Sequence, residues 1–345
     1  MTVNQERVAR RWDKSEWARG IPRRHWSHHP IIDAYINSNI IPHAGNMLEW
    51  LARNFLEDGP CERAISLCCG AGLCDRQALA AGVCCHLDGF DISPGSIRIA
   101  REEAGKDGLG GRVRYWVDDA NTITLEENRY DIALSIGAMH HVEALEHVCG
   151  QLRRALKPGS YIFINEFVGP SRFQLTVQQL EIINRVMAVL PPSWRRSRYV
   201  TSPLMESMIE GDPSEAIRSD EVVSVLCDNF ELVDCCDYGG GLLMPLWERG
   251  IIPEVFMEDR GVERQVIIKL MILIDELLAE HGIVTSNFAQ LVLRNRPPVP
   301  GRTVTKRLSV QSSDRSRWVE RWLPGTVFGG RVAARWHRLW KRFRP

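Results

Sequence analysis

Ala64-Ile65-Ser66-Leu67-Cys68-Cys69-Gly70-Ala71-Gly72 is the stretch that decides the fold. A short apolar run closes in a glycine-containing turn, and a helical pattern follows through Ala81. That is the strand–turn–helix opening of an α/β domain. Working outward, Cys85–Ile92 reads as a second strand, with a helix starting near Pro94. Arg112–Val117 and Tyr130–Ile136 read as a third and a fourth. A helix over Glu143–Leu156 stops at Lys157-Pro158-Gly159, and Tyr161–Ile164 is a fifth strand. Strands alternating with helices predict right-handed βαβ crossovers and a parallel sheet. The alternation then loosens. Residues 171–218 read as a helical insertion, with Asp212-Pro213-Ser214-Glu215 written like a helix start: Asp as N-cap, Pro first, Glu third. Phe230–Tyr238 and Phe288–Arg294 read as two more strands around a long helix, Val262–His281. Upstream, residues 4–58 read as short helical pieces rich in Trp (Trp12, Trp17, Trp26, Trp50), broken at Pro22, Pro30 and Pro42.

The composition fits an ordinary globular protein: 44% hydrophobic and 25% charged over 345 residues. Formal charge is zero, but it is unevenly spread. From Arg302 onward there are 12 Lys/Arg and 2 acidic residues, so the first 301 residues carry −10. The first residues are polar, which predicts no signal peptide and a cytoplasmic protein. The longest apolar run, Val266–Ile274, is interrupted by Lys269 and is too short to span a bilayer. Ten cysteines occur partly as adjacent pairs (Cys68-Cys69, Cys84-Cys85, Cys235-Cys236) with no CxxC spacing. They are expected to be reduced thiols rather than a zinc site.

Ligands of open parallel sheets bind beyond the carboxyl ends of the strands. Four marks fall there. Cys69-Gly70-Ala71-Gly72 follows strand one, where glycine allows close backbone approach. A dinucleotide binder needs a third glycine to seat a pyrophosphate, and Asp75 stands in that place. An Asp at a helix start repels phosphate but tolerates a sulfonium cation. Asp91 closes strand two, beside Ile92, where a carboxylate can accept ribose hydroxyls or cap the next helix; Ser93 is the better cap. Asp118-Asp119-Ala120-Asn121 follows strand three and can take an adenine amino group or form a solvated turn. Gly137-Ala138-Met139-His140-His141 follows strand four and would lie beneath the reacting end of a ligand.

In order and spacing these marks resemble class I S-adenosylmethionine-dependent methyltransferases, in particular a bacterial subgroup often encoded beside glycosyltransferases. The resemblance rests on residues 64–70, 88–94 and 137–143, then Leu156-Lys157-Pro158-Gly159, residues 165–174 and residues 212–219. It implies a Rossmann-like sheet of seven strands, order 3-2-1-4-5-7-6 with the seventh antiparallel, under a helical N-terminal cap (1–58). The methyltransferase domain would span 59–296, with insertions at 171–218 and 240–282. It implies S-adenosyl-L-methionine as cofactor, held by Ser66, Cys68, Cys69, Gly70, Gly72, Asp91, Ile92, Asp119, Ala120, Ile136 and Gly137. The family usually has glycine where this chain has Cys68, so the thiol is expected to crowd the methionine end.

Methyl transfer needs aligned donor and acceptor, and a base only where the acceptor loses a proton. His140, His141 and Glu166 lie at strand ends on the cofactor face and are the candidates. Glu166 can equally bridge Arg172 as structure. Arg172, Asp212 and Arg218 are candidate acceptor contacts, although Asp212–Arg218 also reads as a capped helix start. Trp26, His28 and His29 either cover the cofactor or pack in the core. No metal-binding motif is expected. The acceptor suggested by the subgroup is a saccharide or lipid-linked glycan hydroxyl. A small secondary metabolite is the second reading, and a non-catalytic assembly module with a pocket spoiled by Cys68 is the third.

Residues 297–345 form a Pro-rich linker and a basic tail. Val332, Trp336, Leu339, Trp340 and Phe343 fall on one helical face among six Arg/Lys between 331 and 344. Such a face suits an anionic membrane surface or a docking partner; nucleic acid has only the charge in its favour and is not the expected partner.

Overall fold

A computed structural model describes residues 3–13, 25–42, 44–257, 261–296 and 307–308. Strand β1 (Cys61–Leu67) is buried over its last four residues, as is β4 (Tyr130–Ile136) over most of its length. Strands buried on both faces read as continuous apolar runs, which is why both were visible in the sequence. They pair in parallel at the centre of the sheet. Outward from β1 lie β2 (Cys84–Asp91) and β3 (Val113–Val117), both parallel. Beyond β4 come β5 (Leu156–Phe167), then β7 (Phe288–Arg294) antiparallel between β5 and β6 (Glu231–Asp237). The order 3-2-1-4-5-7-6 is the expected one, with the seventh strand reversed. An eighth strand, β8 (Arg307–Leu308), adds to β6 in parallel. It lies within the stretch read as linker and tail, where no strand was expected.

Asp88 on β2 is fully buried and ties the first four strands together. It meets Arg63 of β1 at 3.2 Å, Arg114 of β3 at 3.1 Å, and Arg129 and Tyr130 at the start of β4 at 3.2 and 3.1 Å. A buried carboxylate so surrounded has its lone pairs satisfied.

Twelve helices flank the strands among the described residues. Before the sheet come α1 (Val3–Asp13), α2 (Pro30–Ile40) and α3 (Met47–Phe55). Within it lie α4 (Leu73–Ala80), α5 (Pro94–Lys106) and α6 (Leu145–Ala155). The insertion after β5 holds α7 (Val177–Val189), α8 (Met205–Gly211) and α9 (Val222–Asn229). Between β6 and β7 are α10 (Leu243–Pro245), α11 (Pro253–Met257) and α12 (Val262–Glu280). Ser93 caps α5, its hydroxyl accepting from the Ser96 amide at 3.0 Å with Pro94 in the first turn.

Two local readings are corrected. Residues 213–218 do not begin a helix; they form a turn, and the helix starts at Val222 after a 3-10 turn at Ser219–Glu221. The Asp212 carboxylate caps only that turn, accepting from the Ser214 amide at 2.9 Å and its hydroxyl at 2.6 Å. Local capping chemistry serves a turn as well as a helix. The second concerns Lys157-Pro158-Gly159, which lies inside β5 rather than before it. Gly159 supplies a φ of +80° there, and the β4–β5 register shifts between Tyr130 and Ile132.

The described residues all belong to one compact unit. The expected linker at 297–301 and amphipathic face at 331–344 lie outside the described residues. No helix among the described residues is long and apolar enough to cross a membrane.

Candidate functional site

The chain leaves β1 in one direction to build β2 and β3, then returns to the other side of β1 for β4. The gap between the β1 and β4 ends is the switch point where such sheets take ligands. The turn after β1 is held by β2: the Cys69 amide donates to the Phe90 carbonyl at 2.9 Å, and the Gly70 amide to Asp91 Oδ2 at 2.9 Å. Gly72 has φ +68° and packs so tightly that a Cβ would stand 2.6 Å from the Tyr115 hydroxyl. Only glycine fits both demands.

Asp91 accepts from the Ser93 amide at 2.8 Å as well. Burial raises its pKa, against the pull of those two amides. Ile92 follows it directly. The Asp118 amide donates to the Asp91 carbonyl at 3.0 Å, which carries the β3 end to the β2 end. Asp119 is buried beside Ala120. It accepts from the Asn121 amide and side chain, and from Gln5 Nε2 at 2.5 Å. Ile136 and Gly137 close β4, with the Gly137 amide on the Asn165 carbonyl at 2.8 Å. Ser66 is buried near the end of β1.

Cys68 stands among these tips with φ +48°. Burial raises its thiol pKa well above the usual value, and Asp91, Asp119 and Glu166 push the same way. The side chain is therefore a neutral thiol at the meeting point of three strand ends. Asp75 is buried against Gly89 and Tyr115, and burial raises its pKa to about 6.

Helix α1 supplies what the sequence did not announce. Besides Gln5 on Asp119, its last residue Asp13 accepts from the Ser93 hydroxyl and from the Gly95 amide at 2.8 Å. Trp12 stands edge-on to His141 with ring centroids 4.9 Å apart. The element that covers the strand ends is thus α1. Trp26 instead packs fully buried against Phe288 at 5.2 Å, and His29 caps α2 through the Ile31 amide. Trp26 and His29 thus pack in the core, while His28 is exposed.

On the β4–β5 side, Glu166 is buried and saturated. Oε2 accepts from the Ala138 and Met139 amides at 2.8 and 2.6 Å, while Oε1 accepts from the Phe167 amide at 2.7 Å and pairs with His140 Nδ1. Burial alone would raise the Glu166 pKa, but the His140 charge and these donors bring it below the usual value. Burial would likewise lower that of His140, yet Glu166 outweighs it and lifts His140 to about 9. His141, its ring centroid 4.0 Å from that of His140 with the planes tilted by 41°, is driven to about 4 by burial and by the His140 charge. The pair therefore carries a single positive charge near neutral pH, on the ring facing Glu166.

The turn 212–217 closes over these rings. Ser214 Oγ lies 3.2 Å from His141 Nδ1, the Ile217 amide donates to the His140 carbonyl at 3.0 Å, and Glu215 Oε1 stands 3.7 Å from His140 Nε2. Arg172 straps the turn in place, its guanidinium donating to the Pro213 and Glu215 carbonyls at 2.7 and 2.9 Å. Arg172, Phe173 and Ala216 all have positive φ, a strain tolerated where surrounding contacts over-determine the backbone. Arg218 pairs with Glu146 and Glu221, each at 2.7 Å. The structure thus gives Arg172 and Arg218 positioning contacts, while Asp212 keeps Oδ2 buried with no hydrogen-bond partner among the described residues. Sequence reasoning missed Glu215, Ser214, Gln5 and Trp12 as neighbours of the site. Glu215 was legible only as the third residue of an expected helix.

Comparison with known proteins adds to this geometry. Residues 64–159 match a methyltransferase-domain family. A demethylmenaquinone methyltransferase of Bacteroides fragilis is 28% identical over 102 residues, covering 30% of this chain and 41% of that protein. A 2-phytyl-1,4-naphtoquinone methyltransferase of Nostoc punctiforme is 30% identical over 128 residues, 36% of this chain and 56% of its own length. The sterol methyltransferase-like 2 of Botryococcus braunii is 25% identical over 187 residues, 52% and 42% respectively. The chain thus spans about half the length of the curated relatives it matches. A geranyl diphosphate methyltransferase solved with geranyl diphosphate and sinefungin superposes with a TM-score of 0.51 at 15% identity, covering 86% of this chain and all of the other. It shares the fold.

Proposed function

We propose that this chain, whose residues 64–159 match a methyltransferase domain, is a class I S-adenosylmethionine-dependent methyltransferase that transfers the sulfonium methyl group to a hydroxyl oxygen of a small-molecule acceptor held over the ends of β4 and β5. The observation that carries this reading is the pairing of buried Glu166 with His140, with neutral His141 packed against that ring, beside the strand tips that would hold the cofactor. Carbon and nitrogen acceptors that arrive without a proton to lose need no such group.

The displacement is in line. The acceptor oxygen forms the new C–O bond as the C–S bond breaks, the sulfonium leaves as a neutral thioether, and the acceptor proton passes to the enzyme. His140 already holds a proton against Glu166, so the unprotonated ring, His141, is the one able to receive it. Glu166 orients the pair and fixes the Ala138–Met139 turn after β4. Cofactor recognition is assigned to the β1 turn, Asp91 for the ribose, and Asp119 for the adenine edge. Helix α1 covers this region and excludes water.

Saccharide hydroxyls, including those of lipid-linked glycans, are the acceptor class suggested by the resemblance of residues 165–174 and 212–219. The quinone and sterol methyltransferases among the relatives suggest an apolar acceptor instead. The decisive experiment incubates the full chain with methyl-labelled S-adenosylmethionine and a panel of saccharides, polyprenyl-linked glycans, hydroquinones and simple amines. Label on an oxygen, lost in Glu166→Gln, supports the reading. Label only on carbon or nitrogen overturns it. If S-adenosylhomocysteine gives no heat in calorimetry, the assembly-module reading takes its place.

A further inference from the structure

The histidine pair has a feature that proton transfer does not require. One ligand atom from each of His140, His141 and Glu215 lies within 4.8 Å of the other two. We propose that these three side chains form a binding site for a divalent first-row transition-metal ion.

The donor set is two imidazoles and one carboxylate. Nitrogen donors disfavour magnesium and calcium, and suit zinc, iron and their neighbours. Three protein ligands leave positions open for water or an acceptor oxygen. Bonds of about 2.1 Å in tetrahedral geometry bring ligand atoms to about 3.4 Å apart, so small side-chain rotations close the site.

The outer contacts favour ligation more strongly than the spacing does. A ligating imidazole is normally held at its other nitrogen by a carboxylate, carbonyl or hydroxyl. Both rings are held this way. His140 Nδ1 is fixed by Glu166, and His141 Nδ1 by Ser214 Oγ at 3.2 Å, itself bonded to Asp212 at 2.6 Å. Nε2 of each ring is left to ligate. The turn bearing Glu215 is pinned by Arg172 and by the Ile217 amide on the His140 carbonyl, so the third ligand is positioned before any ion arrives.

The charge balance points the same way. Three carboxylates, Glu166, Asp212 and Glu215, act on the two rings, and Asp212 retains a buried oxygen with no hydrogen-bond partner among the described residues. Arg172 is a cation felt by Asp212 and Glu215, and two of its N–H donors go to backbone carbonyls. The proposal uses the same side chains as the methyl-transfer reading but not its reaction. With an ion present, a ligating acceptor hydroxyl would be acidified by the metal rather than deprotonated by His141.

The test is Co2+ titrated into chelator-treated full-length protein, followed by visible d–d absorption. Saturation at one equivalent is expected, with the bands lost in His141→Ala and Glu215→Ala and kept in His281→Ala, which alters an exposed residue away from the site. Circular dichroism and S-adenosylhomocysteine calorimetry on each variant separate loss of the site from loss of the fold. If His141→Ala does not fold, Glu215→Gln carries the test, because Glu215 sits at the partly exposed rim. Glu166→Gln is expected to weaken Co2+ by about 10–100-fold. No bands in the wild type, equal bands in every variant, or intense sulfur-to-cobalt charge transfer placing the ion on cysteines would overturn the proposal. Because the readout is the cobalt spectrum, a protein that binds Co2+ and methylates nothing keeps this site and loses only the methyl-transfer reading.

Discussion

Replacing Glu166 by Gln tests the centre of the site and has a magnitude that follows from its contacts. The carboxylate accepts three backbone amides and one imidazole in a fully buried position. Gln matches its shape but brings an NH2 group to where an amide N–H or the ring now points. One unsatisfied buried donor costs about 1–3 kcal/mol. The charge pairing is lost too. His140 has its pKa raised to about 9 from 6.5, a shift worth about 3 kcal/mol. A raised folded-state pKa stabilises fully below the unfolded value, and that contribution fades as pH rises through the folded one. At pH 6 the variant should therefore be about 4–6 kcal/mol less stable than the wild type, comparable to breaking a buried ion pair. Above about pH 9.5 only the donor mismatch, about 1–3 kcal/mol, should remain. Denaturant unfolding followed by circular dichroism from pH 6 to pH 10 measures the difference. A difference that does not change with pH, or that grows toward alkaline pH, would refute the assignment of the proton to His140.

Three further outcomes are expected. Asp91→Ala should weaken S-adenosylhomocysteine by about 10–100-fold in calorimetry, the loss of one or two charge-assisted hydrogen bonds; unchanged affinity would remove Asp91 from the cofactor. Gln5→Ala should tighten the same ligand by about 2–10-fold, because Gln5 Nε2 now occupies the Asp119 oxygen assigned to adenine; weaker binding would make Gln5 a contact rather than a competitor. Arg218→Ala should raise the Glu146 carboxyl from about 2 toward its ordinary value in an NMR titration, since the Arg218 hydrogen bonds are what lower it. Its carboxylate partners are largely exposed, so stability should change by about 1 kcal/mol or less.

Much of the scaffold could be read along the chain because its signals are local. The β1 and β4 runs are apolar because both faces are covered, and α5 begins where Ser93-Pro94 is written as cap and first turn. The turn after β1 needs Gly72 because φ is positive and Tyr115 leaves no room for a Cβ. Asp91 and Asp119 could be singled out because one ends β2 and the other follows β3, and strand ends meet ligands in such a sheet. The same local logic failed at residues 212–218, where capping residues fit a turn as well as a helix and Arg172 settled the matter from 41 and 43 positions away.

What the amino-acid order determined, then, was where strands and helices run and which residues sit at their ends, since periodicity and backbone preference are properties of neighbouring residues. Only the tertiary structure brought Ser214 to His141 across 73 positions, seated Gln5 on Asp119 across 114, and gathered two histidines and Glu215 into one donor set. Those contacts depend on how separate elements pack, and no stretch of a few residues carries that information.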